Sequence, residues 1–189
     1  MVDDTELLAA LAVIQARGAI GERSLVDAVS HADRFVELVP AGVRSLVDLG
    51  SGGGLPALVI AWRRPDVGVT MVERRATRAD LLRRAVTSLG IGQRANVVND
   101  DVAAVATELP NSFDVVTARS FGDVAITTRF IDMLLADDGV GLVSEPPTDR
   151  YQIWALALAE YPELLDDGVY LGIRRLRRRS AALDVSRET

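Results

Sequence analysis

Residues 43–56, VRSLVDLGSGGGLP, join a short strand-forming run to a glycine cluster, and the rest of the chain reads outward from that junction. Val43 to Leu49 is rich in strand formers, and the glycines turn the chain into a helix opening near Leu55-Pro56. A second strand is predicted over 67–73 (VGVTMVE), followed by a helix from Ala76 to Ser88 that closes at Gly90. Three more strands are predicted at 95–100, 113–119 and 139–145, with helices filling most of the gaps. Strands alternating with helices at this spacing define an α/β protein with a mostly parallel sheet and helices on both faces, because right-handed crossovers need connections of that length.

Upstream, Leu7, Leu8, Leu11 and Ile14 recur at helical spacing before Gly18. Ser24, three residues before Asp27, starts a second predicted helix that ends before Pro40. Downstream, 149–160 is expected to be helical. The stretches GVYLGIRRL and SAALDVS are expected to pair as antiparallel strands at the sheet edge, with basic residues discouraging further pairing. The expected organisation is one domain, with N-terminal helices over 1–40 and a seven-stranded Rossmann-like core over 43–189.

The chain has 189 residues, a formal charge of −6 and 49% apolar residues, which suits one globular unit with its own core. It contains no cysteine and one histidine, His31, which excludes thiolate chemistry and multi-histidine metal clusters; no metal is expected. All 21 basic residues are arginine. The acidic N-terminus and the lack of a long apolar run lead us to expect a cytoplasmic protein without a membrane span.

The glycine loop Asp48-Leu-Gly50-Ser-Gly52-Gly-Gly54 lets backbone pass close to a ligand and adopt positive φ. Its acidic entrance separates it from dinucleotide loops. Asp48 would repel a pyrophosphate, but it can hold the ammonium end of a methionine-like cofactor, directly or through water, so S-adenosylmethionine fits better than NAD. Glu73 lies 19 residues after Gly54, at the end of the second strand, where a carboxylate can accept both ribose hydroxyls. Asp101 is placed to meet an adenine amino group, with the Val102 backbone at the ring edge; a solvated turn or helix cap is the competing reading.

The stretch VDLGSGGGLPALVIAWRRPDVGVTMVERRATRADLLRRAV, followed by FDVVTARSF, resembles the RsmG/GidB family of small-subunit ribosomal RNA guanine-N7 methyltransferases. The resemblance rests on Gly54-Leu55-Pro56, on Glu73 followed by a basic helix containing Arg78, and on Ala118-Arg119 after the fourth strand, and it covers roughly residues 24–145. It implies a class I methyltransferase fold. It also implies that Gly50, Ser51, Gly52, Gly54 and Glu73 hold S-adenosylmethionine with Asp48 and that Asp101 and Val102 hold its adenine. Arg78 and Arg119 would then face RNA or the reaction centre, Arg119 as the catalytic candidate. Guanine N7 is an exposed lone pair, so positioning can carry the reaction without a strong base.

The chain departs from the family at Ser30-His31-Ala32-Asp33-Arg34, where a His-x-x-Asp-Ser element is usual, and at Glu145-Pro146-Pro147, where Lys-Gly is usual. Glu145 is expected to place an anion beside the substrate mouth. RNA contacts are expected from Arg74, Arg75, Arg78, Arg83 and Arg84 or from the run Arg174 to Arg179, with Phe121, Tyr151 and Trp154 as candidate stacking partners. Two alternatives stay open from sequence: a small-molecule methyltransferase, and a non-catalytic module that binds the cofactor for regulation.

Overall fold

The computed structural model describes residues 4–148 and 150–180. Two helices, α1 (Thr5–Ala16) and α2 (Leu25–Leu38), precede the glycine loop. Ser24 caps α2 as its position suggests, its Oγ accepting from the Asp27 N–H at 3.3 Å. Then follow β1 (Ser45–Leu49), α3 (Ala57–Arg63), β2 (Gly68–Val72), α4 (Ala76–Ser88), β3 (Ala95–Val98), α5 (Val102–Glu108), β4 (Phe113–Ala118) and α6 (Val124–Leu134). β5 (Leu135–Ser144), α7 (Tyr151–Leu158), β6 (Leu164–Tyr170) and β7 (Ile173–Arg178) complete the described chain.

The seven strands form one sheet in the order β3-β2-β1-β4-β5-β7-β6, with β1 to β5 parallel and β7 antiparallel to both its neighbours. Strand alternation divides the apolar residues between two faces. Leu46, Met71, Val115 and Leu142 pack under α1 to α4, while Val47, Val72, Val116 and Val143 pack under α5 to α7. The N-terminal helices therefore share a core with one face of the sheet. Asp33 reinforces this on α2: with Asp4 it binds the Arg63 guanidinium at the end of α3, the Asp33 contact being 3.0 Å. Among the described residues no helix is long and apolar enough to cross a membrane.

Three boundaries differ from the sequence reading. β5 starts at Leu135 rather than 139, because Leu135 pairs with Phe113 before a register shift at a turn-like Asp137-Asp138-Gly139 segment. GVYLGIRRL is not one strand: it reverses at Leu171 (φ 55°) and Gly172 (φ 77°), two successive left-handed residues that make a tight hairpin between β6 and β7. The partner expected from SAALDVS is thus replaced by β6, and residues 181–186 of that segment lie outside the described residues. The arginine-rich strand is consequently internal, with β6 at the edge.

Gly54 shows how tightly the loop joins α3 and α4. Its φ is +86°, and an added Cβ would stand 2.4 Å from Leu58 Cδ1 and 2.9 Å from Leu82 Cδ2. We expect Gly54→Ala to lower unfolding free energy by about 2–4 kcal/mol from strain and overpacking, measured by urea denaturation. An unchanged midpoint would show that α3 and α4 can separate freely.

Candidate cofactor and acceptor site

The sheet order reverses direction between β1 and β4, the place where open α/β sheets bind ligands beyond their strand ends. The glycine loop leaves β1 there. Ser51 is buried and fully engaged: its N–H donates to the Val72 carbonyl at 2.8 Å and its Oγ to the Asp48 carbonyl at 3.3 Å. Glu73, also buried, accepts the Gly52 N–H on Oε2 at 2.9 Å and the Arg75 N–H on Oε1 at 2.8 Å. One carboxylate thereby clamps the loop to the start of α4. Asn99 completes the clamp, its Nδ2 donating to the carbonyls of Glu73 (2.9 Å) and Arg74 (3.1 Å).

A cavity of about 410 Å³ opens above this clamp, lined by Gly50, Glu73, Arg78, Asp101, Val102 and Phe121 among others. Gly50 (φ +62°) is covered by Phe121, whose Cδ2 lies 2.8 Å from where a Cβ would stand. Gly52 (φ +53°) is open, with Arg78 Nη1 3.9 Å from that point. Gly54, expected among the ligand contacts, presents its Cβ side to Leu58 and Leu82, so helix packing by itself requires glycine there. Asp101 is both a cavity residue and a helix cap: its Oδ1 accepts the Ala103 N–H at 3.0 Å at the start of α5.

Asp48 sits beneath the loop, 1% exposed, beside Thr117 of β4, whose hydroxyl donates to Oδ1 at 2.6 Å. Oδ2 is buried without a partner. Burial, only partly offset by the Thr117 and Ser51 hydrogen bonds and the Arg119 charge, pushes this carboxyl up to about 6. Arg119, two residues beyond Thr117 and half-buried, leaves its Nη1 buried and unpartnered as well. Burial and the nearby Arg23 push its guanidinium below the usual arginine range, while Asp48 pulls the other way. The two orphaned atoms do not bond to each other.

His31 stands on the same side, with Nε2 3.4 Å from the Ser144 hydroxyl and its ring edge-on to Phe35. Burial, then the charges of Arg119, Arg34 and Arg23, lower its pKa, so its imidazole is neutral near pH 7.

The expected basic contacts separate into two groups. Arg74, Arg75 and Arg78 line the cavity, whereas Arg83 is tied to Asp80 by a surface pair at 2.8 Å. The run from Arg174 is largely committed to the fold: Arg174 is buried against Glu145 and Asp166, Arg175 pairs with Asp167 at 3.1 Å, and Arg178 with Asp132 at 2.7 Å. Acidic partners on β6 and α6, distant in sequence, account for this. Glu145 is corrected likewise. Its side chain is 6% exposed and held by Arg174 Nε at 2.9 Å, with Arg150 3.9 Å away, so it is a neutralised buried group rather than a free anion at the mouth. Trp154 is core, stacked under Arg174 at 5.1 Å, and Tyr151 is exposed.

Sequence reasoning missed Thr117, Asn99 and Ser120. Thr117 carried a usable signal, since a hydroxyl next to a predicted buried Asp in a parallel register can donate to it. Asn99 lay in the predicted third strand, and nothing local shows that its amide reaches back to the Glu73 segment. Ser120 adopts φ 54° at a cavity wall, a conformation unusual for serine.

The strand order, the antiparallel β6–β7 pair, the glycine loop at the reversal point and the acid ending β2 together define the fold of the class I methyltransferases. Solved structures agree: a cofactor-bound protein from MTB superposes with a TM-score of 0.70 at 19% identity over 94% of this chain and 91% of that one. An SAH-bound methyltransferase from Podospora anserina gives 0.68 at 14% over 93% and 88%. Within that class, the chain belongs to the GidB family, described as rRNA small subunit methyltransferase G, whose model matches residues 6–150. It is similar to the ribosomal RNA small subunit methyltransferase G of Methylobacillus flagellatus, at 36% identity over 64% of this chain and 56% of that protein. It is also similar to that of Acidiphilium cryptum, at 30% over 84% and 72%. The match thus spans little more than half the length of the Methylobacillus relative.

The raised carboxyl of Asp48 fixes the sign of a stability effect. Below its unfolded value both states are protonated; as pH rises from there to about 6 only the unfolded state releases its proton, so stability falls, and above about 6 both states are ionised and the loss is complete. Asp48→Asn removes this slope. Between pH 3.5 and 7 the unfolding free energy of the variant should gain on that of wild type by about 3 kcal/mol, because each pH unit separating the folded from the unfolded carboxyl is worth about 1.4 kcal/mol. Parallel stability curves would show that Asp48 is not buried as an anion.

Proposed function

We propose that this chain is an S-adenosylmethionine-dependent methyltransferase acting on small-subunit ribosomal RNA, with guanine N7 as the acceptor atom. The observation that carries the reading is the pair of buried, unpartnered atoms of opposite charge beside the glycine loop, Asp48 Oδ2 and Arg119 Nη1. A zwitterionic amino-acid end satisfies both, its ammonium on Asp48 and its carboxylate on Arg119, and the methionine end of S-adenosylmethionine is such a group. A pyrophosphate in the same place would meet the Asp48 charge unfavourably. Arg119 then acts through the cofactor's acid end, which specifies the role expected of it at the reaction centre.

The remaining residues suit the nucleoside half. Glu73 spends one acceptor site of each oxygen on the clamp, and its lone pairs toward the cavity suit two ribose hydroxyls. Asp101 and the Val102 backbone suit the adenine edge, with Phe121 closing the opposite wall. When bound, the cofactor supplies an electrophilic methyl group on a positively charged sulfur. This chain's residues fix where that methyl lies and keep water from it. Guanine N7 carries no proton, so no base is required, in accord with a neutral His31.

The RNA half of the reading is supported by the family match and by Arg74, Arg75 and Arg78 at the cavity rim, where guanidinium groups suit phosphate oxygens. Glu145, the feature that favoured a small-molecule acceptor, is neutralised by arginine.

Labelled methyl should pass from S-adenosylmethionine to undermethylated small ribosomal subunits or naked rRNA, and cleavage at N7-methylguanine should map it to one position. Label appearing only in a metabolite extract would overturn the acceptor, and failure to bind S-adenosylhomocysteine in calorimetry would overturn the cofactor. Glu73→Ala should weaken that binding about 10- to 100-fold, the worth of hydrogen bonds to a charged group; wild-type affinity would place the ribose elsewhere.

A further inference from the structure

A second cavity, of about 300 Å³, adjoins the first and shares Ser120, Phe121 and Gly122 with it, so that Phe121 stands between the two. Two polar groups on the wall of this second cavity keep hydrogen-bonding capacity. The indole Nε1 of Trp154 is buried without a partner, although the residue is only 1% exposed. The Glu145 carboxylate, 6% exposed, is held on Oε1 by Arg174, while its Oε2 has Arg150 Nη1 at 3.9 Å, beyond hydrogen-bond reach. Arg174 bonds Glu145 and lies 5.1 Å over the Trp154 ring, which fixes the donor and the acceptor relative to one another.

A buried acceptor and a buried donor on the wall of one cavity suit the edge of a heterocycle that carries both functions. We infer that this second cavity receives the acceptor guanine, with Glu145 accepting from its N1–H and N2 amino group and Trp154 Nε1 donating to O6. The inference rests on the proposed methyl transfer to RNA and adds the residues that select the base. Glu145 is a specificity residue here. Arg174 is its positioning partner.

The test uses the full chain, S-adenosylmethionine, and small-subunit rRNA assembled by splinted ligation with either guanosine or inosine at the methylated position. Inosine keeps N7, O6 and N1–H but lacks the N2 amino group. Wild type should favour guanosine in kcat/KM by about 10- to 100-fold, the discrimination reached when a buried polar group loses its partner. Glu145→Gln should cut that preference to within about 3-fold. Its affinity for S-adenosylhomocysteine should be unchanged. Trp154→Phe, which keeps an aromatic ring and removes the donor, should lower kcat/KM on both RNAs alike and leave their ratio intact. If Glu145→Gln does not fold, the discrimination shown by wild type between the two RNAs still decides the inference. A merely structural Glu145 would lower both rates together, so an unchanged guanosine-to-inosine ratio in Glu145→Gln overturns the inference, as does a wild type that treats the two RNAs equally. Transfer to neither RNA by a wild type that binds the cofactor would instead overturn the proposed acceptor class.

Discussion

Placing a carboxylate at the end of a central strand, 1% exposed and satisfied on one oxygen only, costs the fold stability that a cation arriving at the glycine loop can return. Asp48 is therefore the constraint around which the site is arranged. Thr117 fixes its orientation from the neighbouring strand, Ser51 ties the loop to its carbonyl, and Arg119 supplies an opposite charge nearby without neutralising it by contact. The proposed zwitterion would meet polar atoms that are already desolvated before it enters.

The surrounding scaffold keeps that arrangement rigid through backbone contacts. Glu73 and Asn99 hold the loop, the end of β2 and the first turn of α4 in one hydrogen-bonded unit, and Gly54 lets α3 and α4 close beneath it. On the other side of Phe121, three arginines of β7 are committed to acidic partners, Arg174 to Glu145 and Asp166, Arg175 to Asp167 and Arg178 to Asp132, whereas Arg74, Arg75 and Arg78 line the first cavity. Position relative to acidic partners, more than the number of arginines, decides which of them can meet a phosphate.

Much of this was legible in the sequence because it depends on local pattern. Alternating strands and helices, the Ser24 cap and the Ala76–Ser88 helix follow from periodicity and capping chemistry, and Asp48 and Glu73 stand out by their spacing from the glycines. The losses share one cause, interactions between residues far apart in the chain. Glu145 read as a free anion because Arg174 lies 29 positions away, and the Arg174 run read as an RNA patch because Asp132, Asp166 and Asp167 belong to other elements. The packing of Leu82 against Gly54 is likewise invisible in the sequence. The hairpin at Leu171-Gly172 was hidden because leucine rarely adopts the left-handed conformation that it takes there.

The most direct test of the central claim is to follow the Asp48 side-chain carboxyl by carbon NMR through a pH titration, with and without saturating S-adenosylhomocysteine. The expected midpoint is near 6 in the free protein and falls below the ordinary carboxylate range once the ammonium group is bound. A midpoint that saturation leaves in place would contradict the central claim, since Asp48 would then carry no ligand charge.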